Sequence, residues 1–249
     1  MLVLFTLRPA PLPIAALLLV VGGFLAMRGG TEDGGDPFPC ASSPEGCADP
    51  APPPRPDVPS PVSARDFCRN VGYLCADLTQ HAEIQLRRWH PIGRAMVVHV
   101  PLPDIDDPTA ARNLQRAAAQ GIRAWNNQPF PLLADLRGDR NPDFGIRWTA
   151  SMGGSQIGLA RIRWSEMDGL GVDYLELGIV SADGQRAWAD PSQIRLAAAH
   201  EMGHALGLGH SDSDRDVMYP TNTATSVSAR DRRSMEVLYK TPDGTLIQR

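Results

Sequence analysis

The feature that most constrains this chain is a set of three histidines spaced for a metal ion. Residues 200–210 read His-Glu-Met-Gly-His-Ala-Leu-Gly-Leu-Gly-His. Residues four apart lie on one face of a helix, so His200 and His204 can present two imidazoles to one ion. Gly207 can end that helix at positive φ and turn the chain back, which brings in His210 as a third ligand. Three nitrogen ligands leave one position of a tetrahedral zinc open, as in a catalytic site.

The glutamate beside the first histidine completes the chemistry of the pattern. Glu201 follows His200, where its carboxylate can reach a zinc-bound water rather than the metal. The alternative is a helix whose histidines are ordinary core or surface residues. A bare His-Glu-x-x-His leaves that alternative open, whereas the longer pattern with Gly207, His210 and Met218 argues strongly against it. The sequence therefore predicts one catalytic zinc, held by the three histidines, with Glu201 as the catalytic base.

The long motif resembles that of the metzincin metalloproteases. Val-Met-Tyr-Pro at 217–220, together with Gly203 and Ser211, resembles the matrixin branch of that class. In matrixins a methionine turn lies beneath the zinc, so Met218 and Pro220 are expected to be structural residues near the site. The resemblance implies an α+β, zincin-like fold in which a twisted mixed sheet packs on two long helices. A C-terminal subdomain with the methionine turn and a final helix would follow.

A second stretch resembles the matrixin strand that binds substrate. Gly158-Leu159-Ala160-Arg161 is similar to the Gly-Leu-Ala-His edge strand of that family. An open strand edge offers backbone donors and acceptors to an extended peptide. The resemblance therefore implies that Gly158, Leu159 and Ala160 bind substrate, while an ordinary edge strand is the alternative.

Some positions depart from the matrixin pattern in ways that concern further metal ions. Residues 151–156 lack the aspartate and histidine ligands that matrixins use there for structural zinc and calcium. A second zinc is not expected, and calcium is possible but unsupported. Asp212, Asp214 and Asp216 alternate like half a calcium loop but lack its glycine and terminal glutamate. A solvated turn is the favoured reading of these three aspartates.

Two further departures lie near the primed-side pocket and the last helix. Asn222 stands where matrixins usually have a tyrosine, so a side-chain preference cannot be carried over from the family. Arg230 replaces the first of two paired aspartates, whereas Asp231 is retained.

The N-terminal part divides by composition. Residues 1–27 contain an uncharged, mostly apolar run that is typical of a signal peptide or of a membrane anchor. Residues 28–87 are expected to be a tether rich in proline and glycine that carries a cysteine-containing segment, and part of it could be a propeptide. Residues 88–249 would form the catalytic domain. Signal peptide and anchor remain open alternatives, and either predicts an extracytoplasmic protein, secreted or anchored to the membrane.

All four cysteines precede the expected catalytic domain. An even number in an exported chain suggests disulfides, for which three pairings exist. The simplest is Cys40–Cys47 with Cys68–Cys75. The matrixin propeptide motif Pro-Arg-Cys-Gly, whose cysteine binds the zinc of the latent enzyme, is absent, and this argues against such a switch.

Residue patterns in the catalytic part predict alternating strands and helices. The expected strands are 94–101, 144–149, 157–164 and 172–180. The expected helices are 110–126, capped by Thr109, 191–206, capped by Asp190 before Pro191, and 228–239. The apolar stripe of the first helix consists of Leu114, Ala117, Ala118, Ile122 and Trp125.

The predicted function is that of a zinc metalloendopeptidase that hydrolyses extended proteins or peptides. A net charge of −4, without a large basic block, gives no reason to expect a nucleic-acid partner. The main alternative is a silent surface-binding or adhesion module that keeps the metzincin fold, but such a module would have no need of Glu201. Another metzincin branch with a similar core is a third possibility.

Overall fold

The computed structural model describes residues 61–150, 152–153, 156–180, 188–221 and 223–249. Its strands are β1 (Val62–Ser63), β2 (Glu83–Gln85), β3 (Met96–His99), β4 (Leu132–Asp135), β5 (Phe144–Thr149), β6 (Gly158–Ser165), β7 (Gly169–Gly178) and β8 (Leu246–Gln248). Its α-helices are α1 (Ala64–Phe67), α2 (Pro108–Arg123), α3 (Pro191–Ala205) and α4 (Ala229–Lys240), and a 3₁₀ turn covers Ala76–Thr79. The predictions for residues 1–27, Cys40, Cys47 and Asn222 lie outside the described residues.

The main sheet has five strands in the order β4-β3-β5-β7-β6. The pairs β4–β3, β3–β5 and β5–β7 are parallel, and β6 runs antiparallel to β7 at the sheet edge. The long helices α2 and α3 pack against each other, and α3 also contacts β6 and β7. A mixed sheet on two long helices confirms the predicted metzincin α+β fold.

Both long helices begin with an aspartate cap followed by proline. Asp190 accepts a hydrogen bond from the Ser192 N–H, as predicted for α3. In α2 the cap is Asp107, which accepts from two backbone N–H groups, so the predicted Thr109 cap is wrong. Asp107 prevails because Pro108 suits the first helical position, where a missing N–H costs nothing.

The contact between α2 and α3 is close because Gly121 of α2 faces α3. A Cβ on Gly121 would overlap the Arg195 carbonyl oxygen and lie 2.7 Å from the Ala198 Cβ. Just beyond α2, Trp125 is fully buried and donates from Nε1 to the Ala199 carbonyl at 2.7 Å. The residues of the predicted stripe are all buried, and α2 and α3 thus share one core.

The predicted strands correspond to β3, β5, β6 and β7, with shifts of up to three residues at their ends. The short strand β4 was not predicted. Its residues, Leu-Leu-Ala-Asp, lack the alternation of a half-buried strand, and it is identified only by its parallel pairing with β3.

The described residues before Trp89, 61–88, are folded, whereas the sequence predicts a tether with a cysteine-containing segment over residues 28–87. Strand β8 lies between β1 and β2, parallel to β1 and antiparallel to β2. Cys68 and Cys75 form a disulfide, as the simplest pairing predicted. The cysteine-containing segment packs on the core through buried Val71, Tyr73 and Leu74, because these side chains can bury enough area to order it.

No helix within the described residues is long and apolar enough to cross a membrane.

The disulfide is expected to stabilise the fold measurably. Replacing both partners, Cys68→Ala with Cys75→Ala, should lower the free energy of unfolding by roughly 2 to 3 kcal/mol, because the bond restricts a short loop in the unfolded chain. For a domain of this size the melting temperature should fall by roughly 5 to 10 °C, which calorimetry can measure. An unchanged melting temperature would show that the packing of the segment alone orders it.

Candidate metal centre

Two of the three histidines lie on the last turns of α3. His200 and His204 are one helical turn apart on this helix, which ends at Ala205. Gly207 has φ of +101°, so the chain turns there as predicted. A Cβ at Gly207 would also overlap the Arg87 carbonyl oxygen, which is a second reason for glycine at this position. The turn brings His210 back towards the helix.

The structure brings the three predicted ligands together. His204 Nε2 lies 3.1 Å from His200 Nε2 and 3.2 Å from His210 Nε2. Among the described residues these three side chains form the group whose ligand atoms could hold a metal ion. His200 is buried, and the other two are half-buried.

Backbone carbonyls fix how two of the rings are oriented. His200 Nδ1 lies 2.7 Å from the Val217 carbonyl oxygen, and His204 Nδ1 lies 2.8 Å from that of Leu208. A carbonyl can only accept, so each Nδ1 donates a proton in the neutral ring. Nε2 of each of these two rings then keeps a lone pair that can bind a metal ion, as in metal-binding histidines.

The surroundings keep the rings neutral. Burial lowers the pKa of His200, and burial together with the neighbouring rings lowers that of His204 further. Burial and His200 lower the pKa of His210 to about 4. At neutral pH each ring is therefore uncharged, and one of its two nitrogens keeps a lone pair.

These donors suit zinc. Ligand nitrogens about 2.05 Å from a tetrahedral zinc lie roughly 3.4 Å apart, close to the spacings of the Nε2 atoms here. Neutral acceptor atoms at such spacings repel one another unless a cation lies between them. The three-histidine group therefore fits a zinc site with an open fourth position.

Glu201 is buried beside this group and beneath the edge strand. Its carboxyl accepts a hydrogen bond from the backbone N–H of Ala160 in β6. Burial raises its pKa to about 8, and the Ala160 N–H opposes that shift. A Cβ at Gly158 would lie 2.7 Å from Glu201 Oε1, so only glycine lets the strand pass so closely. Of the predicted substrate-binding residues, Gly158 and Ala160 thus lie against Glu201, and Leu159 lies between them on the same edge strand.

The methionine turn, residues 217–220, packs against the histidine-bearing helix α3. Met218 is fully buried, and a Cβ at Gly203 would overlap its Sδ. Ser211, which follows the third histidine, donates its N–H to the Met218 carbonyl oxygen at 2.8 Å. Pro220 comes next to the turn and is half-buried. These contacts connect the third histidine to the turn below the first two.

One part of the predicted solvated turn is wrong. Asp216 is 2% exposed and accepts hydrogen bonds from the hydroxyls of Ser211 and Ser228. It also pairs with Arg230, whose Nη1 lies 2.9 Å from its Oδ2. Asp212 is exposed, as expected, but contacts the same guanidinium. A calcium-like spacing could not reveal Asp216 as a buried partner of a distant arginine.

The sequence of this chain matches known proteins over part of its length. The matrixin family profile matches residues 126–240. Human matrilysin is 46% identical over 43 residues, which are 16% of this chain and 16% of that protein. Human matrix metalloproteinase-19 is 44% identical over 52 residues (19% of this chain, 10% of that protein). Rat macrophage metalloelastase is 45% identical over 69 residues (24% and 15%). The chain thus spans no more than about a sixth of the length of each of these relatives.

The contact between helix and methionine turn gives a prediction. Gly203→Ala should lower the free energy of unfolding by about 1 to 3 kcal/mol, the usual cost of overpacking a core. Helix propensity alone would act in the opposite direction by about 1 kcal/mol, so a net loss would identify the clash with Met218. Thermal unfolding measures the change. The control is Gly178→Ala, whose Cβ would meet no heavy atom closer than 3.8 Å; an equal loss in both variants would contradict the prediction.

Proposed function

Because the chain carries a matrixin-like metzincin domain, we propose that it is a zinc-dependent endopeptidase that hydrolyses peptide bonds of extended protein substrates. The observation that carries this proposal is the convergence of three Nε2 atoms beside a buried carboxyl, directly beneath an edge strand. One site would thereby combine a metal, a proton acceptor and a surface for an extended peptide.

His200, His204 and His210 would hold the zinc ion. Their low pKa values mean that protons compete little with the metal at neutral pH. When bound, zinc supplies a Lewis acid that makes water nucleophilic near neutral pH and polarises a carbonyl group. The carbonyl oxygens of Val217 and Leu208 would keep two of the rings in the required tautomer.

Glu201 would be the catalytic base. Its buried carboxyl holds a proton up to a pH of about 8 in the metal-free chain, and a neighbouring positive charge would favour ionisation at lower pH. The ionised carboxylate would accept a proton from the attacking water and later deliver it to the leaving amine. The N–H of Ala160 would hold the carboxylate in place during both transfers.

The edge strand β6 would bind the substrate. A peptide in extended conformation could pair with its free side, which would place a scissile bond over Glu201, since Gly158 and Ala160 both lie against that side chain. Backbone pairing gives affinity without reading side chains. We therefore expect proteins or peptides in extended conformation as substrates.

We also propose that the protein acts outside the cytoplasm. Residues 1–27 would direct export or anchor the chain, and residues 88–249 would form the protease domain. The disulfide Cys68–Cys75 supports this, because disulfides persist mainly in oxidising compartments.

Removing the base should separate catalysis from metal binding. Glu201→Gln is expected to keep zinc but to lower kcat/KM by about 10² to 10⁴, the usual contribution of a positioned base. Cleavage of a mixed peptide library by residues 61–249 would be compared with this variant and with chelator-treated protein. Cleavage by Glu201→Gln at the wild-type rate would remove Glu201 from this role, and no cleavage by folded, zinc-loaded wild type would favour the silent binding module.

Removing a ligand should abolish zinc binding. Loss of a residue that hydrogen-bonds to a metal ligand typically weakens metal binding by about 10- to 100-fold. His204→Ala removes a ligand itself, so it is expected to weaken zinc binding by more than this. Competition with a chelator of known affinity measures the zinc dissociation constant. His81→Ala is the matched control, because His81 lies outside the three-histidine group. Equal zinc affinity in the two variants would contradict the ligand assignment.

A further inference from the structure

Tyr73, which precedes the histidines by a long stretch of sequence, contacts a buried carboxyl group that also binds the methionine turn. Tyr73 is 3% exposed, and its hydroxyl donates to Asp231 Oδ1 at 2.9 Å. Asp231 is fully buried near the start of α4. A buried carboxylate is costly unless donors surround it, so the phenol contributes directly to its stability.

The same carboxylate holds the backbone of the methionine turn. Asp231 Oδ2 accepts the Val217 N–H at 2.9 Å, and Oδ1 lies 3.5 Å from the Met218 nitrogen. The carbonyl of Val217 in turn accepts from His200 Nδ1. An unbroken series of contacts thus leads from Tyr73 through Asp231 and Val217 to the first histidine.

The loop that carries Tyr73 is fixed at several points. The disulfide Cys68–Cys75 closes it, and the Tyr73 N–H donates to Ser234 Oγ at 3.0 Å. Arg230 lies over the Tyr73 ring at 5.4 Å from its centroid. We call residues 68–75 the disulfide loop. Its attachment to α4 leaves the phenol little freedom to move away from Asp231.

We propose that Tyr73 is a positioning residue for the metal centre, and that the disulfide loop holds the methionine turn, and through it His200, in the geometry that binds zinc. This rests on the proposed zinc site. The disulfide loop would then support the metal centre of the protease and would not belong to a removable propeptide.

The chemistry of the phenol suits a permanent role. Burial and the negative charge of Asp231 raise the pKa of Tyr73 far above its ordinary value. The hydroxyl therefore remains a donor at every pH at which the protein is folded, and the contact does not depend on titration.

Tyr73→Phe removes the hydroxyl and keeps the ring. The zinc dissociation constant, measured by chelator competition, should rise about tenfold, at the low end of the effect of outer partners of a metal ligand. In the metal-free protein the amides of Val217 and Met218 should exchange hydrogen faster, since their shared acceptor loses a donor. The absorption bands of the cobalt-substituted site should shift as His200 reorients.

Tyr174→Phe is the matched control. It makes the same substitution on β7, where Arg147 lies over the ring at 3.7 Å from its centroid, and it leaves Asp231 and the disulfide loop unchanged. Zinc affinity and the cobalt spectrum should then stay as in the wild type, even if thermal stability falls. Equal effects of both variants, or no effect of Tyr73→Phe, would overturn the proposal.

The exchange measurement keeps this test separate from the proposed function. If the wild-type protein binds no zinc, the proposed function fails, while faster exchange at Val217 and Met218 in Tyr73→Phe alone would still support the role of the loop. Should Tyr73→Phe not fold, hydrogen exchange is measured instead in the double variant Cys68→Ala with Cys75→Ala. Raised exchange at the two amides is expected there, and unchanged exchange would overturn the proposal.

Discussion

The buried carboxylate of Asp231 accepts the hydrogen bonds that hold the methionine turn and the start of α4. It has no exposed surface and receives hydrogen bonds from three separate parts of the chain. The Ser228 N–H belongs to the start of α4, the Val217 N–H to the methionine turn, and the phenol to the disulfide loop around Tyr73. A fully buried carboxylate is costly unless every hydrogen-bond donor around it stays in place. These three parts of the chain therefore move together. Helix start, turn and loop therefore form one unit beneath the histidines.

Much of the centre could be predicted from the sequence because its geometry is local. Helical spacing places His200 above His204, and a glycine at positive φ returns the chain at Gly207. The sequence also predicts the beginning of α3, since Asp190 caps this helix and a proline follows it. For α2 the same signal lies at Asp107, two positions before the predicted cap, and the nearby threonine misled the prediction. Roles in catalysis and substrate binding remain predictions, because they concern chemistry that spacing alone does not test.

What the sequence did not reveal depends on contacts between distant residues. Asp216 looks like a loop residue until Arg230 and two hydroxyls are found around it. Likewise, composition predicts a tether with a cysteine-containing segment over residues 28–87. The later part of that stretch is ordered by partners more than 150 positions away, such as Ser234 for the Tyr73 N–H. Local composition carries no information on such partners.

The small sheet of β1, β8 and β2 limits when the domain can finish folding. Its central strand, Leu246–Gln248, joins two strands that are synthesised much earlier: Ile247 lies opposite Val62 and Ile84, which are 185 and 163 positions away. Until residue 248 has been made, β1 and β2 lack the strand that pairs with both of them. Pairings between such distant residues form late and slowly. The histidine-bearing helix is thus synthesised before β8, and the small sheet can close only after β8 has been made.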